Sequence, residues 1–366
     1  LNLISNASYR KQKAPGTLGQ AIDAVNGEVK RDFDINPYSY ALNTSRTLDP
    51  NEYYVRNYAP FNIINELNNN YIDINLTDIR FQGELKWKIL KKLEASALGA
   101  YKYSSSVQSH RIKDYSNQAW AYRAMDDATM RDANPWLYTD PDNANSLPLT
   151  VLPVGGFYKE TKYSMNSYDF RGTLSYNDVF KEDHILNLFG GMELNAVNRQ
   201  KTWFNGVGMQ YEMGMLPAYE YLFFKQGSEE NAQYYTVDET RMRQAAFFGT
   251  GTYSYKGKYT INGTVRYEGS NKLGKSRSAR WLPTWNVSGA WNAHEEKFFE
   301  SMKKVVSNLT LKASYSLTAD RGPASVTNSL VVIESYNPWR PFTNVKESGL
   351  KIDDLENSEL TYEKKH

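Results

Sequence analysis

Stretches of about ten residues recur along the chain in which every second side chain is apolar or glycine and the ones between are polar or charged, the signature of a two-faced strand. From Ile79 to Ile89, Phe81, Gly83, Leu85, Trp87 and Ile89 share one face, while Arg80, Gln82, Glu84, Lys86 and Lys88 share the other. A helix would scatter those charges. After Leu90-Lys91-Lys92, the run Leu93 to Tyr103 sets Leu93, Ala95, Ala97, Gly99, Tyr101 and Tyr103 against Glu94, Ser96 and Lys102, which predicts a hairpin. The unit returns with Tyr168, Phe170, Gly172, Leu174 and Tyr176, followed by Leu186, Leu188, Gly190, Met192 and Leu194, Phe189 being the one misfit. A third hairpin runs Phe247 to Tyr255, turns at Lys256-Gly257-Lys258 and returns from Tyr259 to Tyr267. A fourth pairs Pro283 to Trp291 with Leu309 to Leu317. Its longer link, Ala293 to Ser307, carries Phe298, Phe299 and Met302 at a spacing that predicts a short helix.

Link lengths alternate. Within hairpins they are short; between them lie Ser105 to Tyr163, Ala196 to Arg241, Gly269 to Arg280 and Ala319 to Glu359, with Arg10 to Asp78 before the first. Antiparallel strands then place every long excursion at one end. That layout, with strands near the ~9–11 residues needed to cross an outer membrane, predicts an all-β, antiparallel transmembrane β-barrel segment with long extracellular loops. Lipid would require such a sheet to close, since each backbone N–H and C=O must find a partner. The competing arrangement is a sandwich or propeller whose apolar faces cover a protein interior.

Composition sharpens the choice. Mean hydropathy is −0.65, and no run of 18 or more apolar residues occurs, which removes a helical membrane protein. Aromatic content reaches 14%, with 28 Tyr, and Trp87, Tyr101, Tyr103, Tyr168, Tyr176, Tyr255, Tyr259 and Tyr267 sit near strand ends, where amphipathic rings suit the two membrane interfaces. A net charge of +2 argues against a polyanion such as nucleic acid, and the absence of cysteine removes disulfides and thiolate chemistry. The chain starts at Leu1 without a leader-like segment and stops at Leu360-Thr361-Tyr362-Glu363 as a new alternation begins, so residues 1–366 are expected to be an internal piece of a larger barrel domain.

Candidate chemistry is sparse, and no catalytic residue, cofactor or metal site is expected. Gly269 to Ser276 spells a P-loop string, but Arg280 to Asn292 contains Pro283 and alternates as a strand, whereas a phosphate cradle needs a helix there. His110, His184, His294 and His366 are isolated, which offers neither a metal spacing nor a Ser/His/Asp set. Asp140 to Asn145 has calcium-like ligand density, yet Ala144 breaks the pattern and a solvated turn is the better reading. Two loops are richer. Trp120, Tyr122, Trp136, Tyr138 and Tyr158 fall in one, and Trp203, Tyr211, Tyr219 and Tyr221 in the next, among many Asn and Asp. Flat rings with amides and carboxylates suit a carbohydrate or peptide surface; the same rings also suit small cores that hold long loops together. Trp120, Tyr122, Trp136, Tyr138, Trp203, Tyr211 and Tyr219 are the candidate substrate contacts.

Phe248-Gly249 through Tyr253, Lys258-Tyr259-Thr260 through Val265-Arg266-Tyr267-Glu268-Gly269-Ser270, Leu273-Gly274-Lys275, and Trp281-Leu282-Pro283-Thr284 leading to Gly289-Ala290-Trp291 resemble SusC/RagA-type TonB-linked outer-membrane transporters. So do Glu296-Lys297-Phe298-Phe299, Leu311 to Thr318 and Leu360-Thr361-Tyr362-Glu363, in the same order. The likeness is strong from Ile79 to Thr318 and thin in the long loops, and Ala319-Asp320-Arg321-Gly322 departs from the family's usual pattern. The resemblance implies a barrel of about 22 strands with a plugged lumen, eight full strands of it and fragments at either end lying here. It further implies import of large nutrients, oligosaccharides or peptides, across the outer membrane of a Gram-negative cell, energised through the TonB complex by segments outside this piece. A SusD-like surface lipoprotein would cover the outer face, and no covalent chemistry would take place. Arg80, Glu84, Lys86, Asp169, Arg171, Arg266 and Glu268 are expected to face the lumen, where charges of both signs suit packing against a plug better than an ion-selective pore. A passive porin or a secreted all-β glycan-binding module are the alternatives.

Overall fold

The computed structural model describes residues 1–16, 21–22, 29–30, 37–143, 145–230, 232–273, 276, 280–320, 331–336, 338–340, 349–357, 359, 361 and 363–365. Ten strands form one antiparallel meander in which each pairs with the next in the chain: β1 (Asn2–Pro15), β2 (Asn70–Leu90), β3 (Leu93–Ile112), β4 (Gly156–Phe180), β5 (His184–Gln210), β6 (Tyr235–Tyr255), β7 (Tyr259–Ser270), β8 (Trp281–Asn292), β9 (Thr310–Asp320) and β10 (Glu363–Lys365). A two-residue strand, Leu216–Pro217, adds to the end of β5. Among the described residues five α-helices lie in the connections: α1 (Pro37–Asn43), α2 (Ile63–Asn69), α3 (Asn117–Ala121), α4 (Ala128–Ala133) and α5 (Tyr221–Glu229). No helix among the described residues is long and apolar enough to cross a membrane.

The register places the alternating residues as the pattern demands. Leu85 stands opposite Ala97, which stands opposite Gly172. Leu174, Gly190, Gly249, Val265, Trp285 and Leu317 then continue one apolar row across six strands. Among the described residues no second protein layer covers this face: Leu85, Val265 and Leu311 are 53%, 52% and 54% exposed. A sandwich interior would have hidden them, so the apolar side of the sheet lies open. From the Tyr259–Trp291 pair to the Gly269–Trp281 pair the band covers ten residue steps on β7. At about 3.3 Å per residue and a tilt near 40°, that projects to roughly 25 Å, the height of an outer-membrane apolar band.

Three expectations change. The strands are much longer than ten residues, with 21 in β2, 20 in β3, 25 in β4, 27 in β5 and 21 in β6. The segments read as loops from Ser105 and Ala196, and those leading up to Tyr163 and Arg241, in fact continue the ladders above the apolar band. There both faces meet polar surroundings, and the alternation that marks a strand fades although backbone pairing persists. Second, β1 is a ninth full-length strand rather than a fragment, paired with β2 along all 14 of its residues. Third, Ala293 to Ser307 forms no α-helix; Ala293–Glu295 and Lys297–Phe299 are separate 3₁₀ turns, anchored by the buried Phe299. Phe298, left exposed, instead meets Trp291 at 6.3 Å between ring centres.

The short links behave as read. Lys256 and Gly257 take φ of 55° and 67°, and Lys258 N–H closes the turn onto Tyr255 C=O at 2.9 Å. Two consecutive left-handed residues match the right-handed twist of a hairpin, which explains the glycine. Gly274, Lys275, Arg321, Gly322, Leu360, Tyr362 and His366 lie outside the described residues.

Candidate functional site

The polar face of the sheet carries the seven charged residues expected at a lumen. Arg80, Glu84 and Lys86 on β2, Asp169 and Arg171 on β4, and Arg266 and Glu268 on β7 all share that face by register. They are internally matched. Glu193 on β5, which the sequence reading did not single out, accepts from Arg171 Nε at 3.2 Å and from Arg266 Nη1 at 3.0 Å, and Arg266 Nε reaches Glu268 at 2.8 Å. Lys86 meets Glu84 at 3.3 Å, Arg80 donates to Gln82 at 2.7 Å, and Asp169 accepts from Ser167 and Asn195. Phe189, the misfit of its strand, belongs to this face: it packs on Phe248, whose ring lies 5.7 Å away and under the Arg171 guanidinium. Half-exposed pairs of this kind contribute about 0–1 kcal/mol each. Their effect is on character, because a surface with its charges paired across strands presents little net field to a passing ion.

Above the band, the β3–β4 and β5–β6 connections fold onto one another. Ile112, Ala119, Leu152, Phe157 and Val207 form a buried cluster, with Tyr122 and Phe223 packed against it. The sequence builds this by capping. Ser116 Oγ accepts from Ala119 N–H to start α3, and Asn117 Nδ2 donates to the carbonyls of Arg56, Ala59 and Pro60. Arg123 ties the loop further, donating to the carbonyls of Leu152, Asp114 and Gly155. The second loop is clamped to the first by Lys225, which reaches Asp140 at 2.9 Å, and by the Tyr138 hydroxyl, which donates to Glu229 at 2.9 Å. Tyr138 and Asp140 hold the Lys225 ammonium pKa well above its usual range.

The candidate aromatics divide by this packing. Tyr122 sits edge-on to Phe157 at 4.9 Å and beside Trp136 at 5.3 Å, and burial raises its hydroxyl pKa to about 12. Tyr138 is buried and bridges to Leu149; Tyr211 donates to Phe157 C=O at 2.6 Å. These three rings serve the loop core in this conformation and present little to a ligand. Trp120 is half-buried between Tyr115 and Tyr53, and Trp203 is half-buried near the top of β5. Tyr219 and Tyr221 stand out at 81% and 70% exposure, beside exposed Met213 and Leu216. Among the described residues one acidic group is compact enough to suggest a cation, Asp140, Asp142 and Glu229, but the Lys225 ammonium occupies it.

A polar knot beneath the loops escaped the sequence reading. Glu66 on α2 is fully buried and accepts from Asn117 N–H at 2.6 Å; burial lifts its carboxyl pKa to about 7. His110 lies 2.6 Å from Asn70 Oδ1, and burial, helped by the Lys159 charge, lowers its pKa to about 4. The Asn-rich run Asn62 to Asn70 was its one visible trace, since Asn62 caps α2 by accepting from Ile64 and Asn65 N–H.

No family model matches the chain. Among curated proteins it is 26% identical over 203 residues to a TonB-dependent receptor, P39, of Formosa agariphila, a match that covers 54% of this chain and 18% of that protein. Among solved structures it resembles the RagAB peptide importer in its closed-closed state, with a TM-score of 0.58 and 19% identity over 84% of this chain and 29% of that one. The open-open state of the same importer gives 0.57 and 19%, over 84% and 28%. The chain therefore spans less than a third of the length of each relative. Both findings bear out the resemblance to a SusC/RagA-type TonB-dependent transporter fragment, and the meander shares its fold with part of the RagAB importer.

Proposed function

We propose, from the premise that this chain is a length of SusC/RagA-type barrel wall, that it forms part of the membrane wall and external loops of a TonB-dependent importer of oligosaccharides or peptides. The observation that carries the reading is the uncovered apolar face through Leu85, Val265 and Leu311, backed by a polar face of cross-strand ion pairs. Such a sheet satisfies its backbone in lipid only when its two edges, β1 and the β9–β10 side, pair with further strands. The lumen would be lined by Arg80, Glu84, Lys86, Asp169, Arg171, Arg266 and Glu268. Paired charges suit a hydrated plug that slides or unfolds against them, which favours gated import over an open pore.

The external loops would form the wall of a solute chamber. Trp120, Trp203, Tyr219 and Tyr221 are the rings best placed to stack on sugar or peptide, while Tyr122, Trp136, Tyr138 and Tyr211 brace the loops that present them. The exposed patch of Met213, Leu216, Tyr219 and Tyr221 suits contact with a SusD-like lipoprotein closing from outside. Uptake of labelled oligosaccharide and peptide pools by cells carrying the full-length gene, with and without TonB, tests the proposal. Uptake that vanishes without TonB supports it. TonB-independent flux together with a stable open conductance in a planar bilayer would replace it with a porin.

A further inference from the structure

An open groove of about 720 Å³ crosses the outward, apolar face where the band meets its upper edge. Its floor is made of small residues on adjacent strands, Ala196, Ala245 and Gly269, and Phe170 and Trp281 flank it. Trp281 is fixed in place. Its indole stacks on Tyr267 at 5.0 Å, and a Cβ added at Gly269 would come within 2.6 Å of it, so this glycine is what lets the ring lie flat. A strip of small residues walled by aromatics, on a surface facing acyl chains, is a channel of chain width.

The upper edge of the groove is cationic. Arg243 and Arg280 line it, and Arg241 stands one outward position above Arg243 on β6. Arg241 has a carboxylate nearby, Glu239 at 3.4 Å. Arg243 donates only to neutral acceptors, the carbonyls of Val197 and Met242 and Asn198 Oδ1, and so keeps its charge uncompensated among the described residues. Arg280 Nε is buried with no hydrogen-bond partner among them. Cations just above an apolar band, two of them without a counter-ion among the described residues, call for an anion supplied by the leaflet, and the guanidinium fork fits phosphate.

We propose that this groove is a binding site for a phosphate-bearing lipid of the outer leaflet, one acyl chain lying over Ala196 and Ala245 and the phosphate resting on Arg243 with Arg241 and Arg280. The site rests on the membrane-wall reading above. It lies on the opposite side of the sheet from the solute chamber, so it would hold lipid without taking part in import.

The test uses the purified full-length protein, incubated with diphosphoryl lipid A and its fully dephosphorylated analogue in equal amounts and read by native mass spectrometry. The wild type should retain the phosphorylated lipid about tenfold more, the scale of one charge-assisted contact, and the advantage should shrink at high salt. R241Q/R243Q should erase the preference. Ala245→Leu, which fills the floor, should lower retention of both lipids, and excess inorganic phosphate should leave the bound lipid in place. Equal retention by wild type and R241Q/R243Q, or release by inorganic phosphate, overturns the site. Heat-modifiable gel mobility and uptake, measured on the same samples, separate the two readings: a folded, importing protein with no lipid preference fails the groove alone, whereas loss of barrel behaviour in the wild type fails both.

Discussion

Replacing Val265 by arginine tests the orientation of the sheet, because its neighbour Thr264 provides an internal control on the opposite face. Val265 sits in the middle of the apolar row, between Gly249 and Trp285, with Tyr267 and Gly269 above it and Gly263 and Ile261 below. An arginine there would have to place its guanidinium in hydrocarbon at mid-height, a cost of about 2–4 kcal/mol. On a water-facing surface the same change at a half-exposed valine stays within about 0.5 kcal/mol. Thr264→Arg removes one hydroxyl contact, to Thr250 at 3.3 Å, for a loss of about 1 kcal/mol. Urea titration of the full-length protein folded into lipid vesicles, followed by heat-modifiable gel mobility, reads the difference directly. V265R should be the more destabilised by at least about 1 kcal/mol in lipid. Equal midpoints, or a greater loss for T264R, would refute an outward-facing apolar side.

Three further outcomes follow from the loops. Gly208 has φ of 72°, and a Cβ on it would lie 1.9 Å from Ala218 C=O; Gly208→Ala should therefore cost at least about 1–2 kcal/mol and raise hydrogen exchange from Gly208 to Ala218. Tyr122→Ala removes the ring packed on Phe157 and Trp136, and a loss of about 3 kcal/mol should appear as faster proteolysis within residues 113–155 while the barrel stays folded. Tyr219→Ala, an exposed ring outside that core, should leave proteolysis unchanged and weaken substrate capture about threefold to tenfold in an equilibrium binding measurement.

How far the sequence reveals this molecule depends on how many different environments a residue meets. Within the band, one face sees only apolar surroundings and the other only polar, so Phe81, Leu85, Val265 and Leu311 against Arg80, Lys86 and Arg266 make all eight alternating strands and their register legible. Above it, Ser104 to Ser106, Thr161 to Ser164 and Arg199 to Thr202 meet polar surroundings on both sides, so the ladder leaves no period in the residue types. Aromatics in loops are ambiguous for a related reason: a ring such as Tyr122 or Tyr138 is equally suited to a small core and to a ligand, and only packing separates them from Tyr219. Phe189 reads as an error until Phe248 and Arg171 are seen beside it. Beyond its Asn-rich run, the Glu66 and His110 knot leaves no trace because its members come from α2, β2, β3 and the Asn117 backbone, with partners 40 to 51 residues apart.

That knot gives the loops an unusual pH response. Glu66 and His110 lie above the band and are joined through Asn70, whose backbone N–H donates to Glu66 C=O and whose side chain meets His110. Burial disfavours the charged form of each, with opposite consequences. The Glu66 pKa is raised from 4.5 to about 7, so its contribution to stability is complete below about 4.5 and is lost as pH rises through 7. The His110 pKa is lowered from 6.5 to about 4, so its contribution is complete above about 6.5 and is lost as pH falls through 4. Each shift corresponds to about 3 kcal/mol, and the two slopes overlap with opposite sign between about pH 4.5 and 6.5. The wild-type loops should therefore be nearly indifferent to pH in that window. Glu66→Gln removes one slope, and protection of residues 63–70 and 110–119 from hydrogen exchange should then rise with pH; His110→Gln leaves the other, and protection should fall. Exchange rates are corrected for their intrinsic pH dependence before comparison. A flat profile in either single variant would mean that water reaches these groups and that the knot is not sealed, in which case the loops owe their rigidity to the Ile112–Phe157 cluster alone.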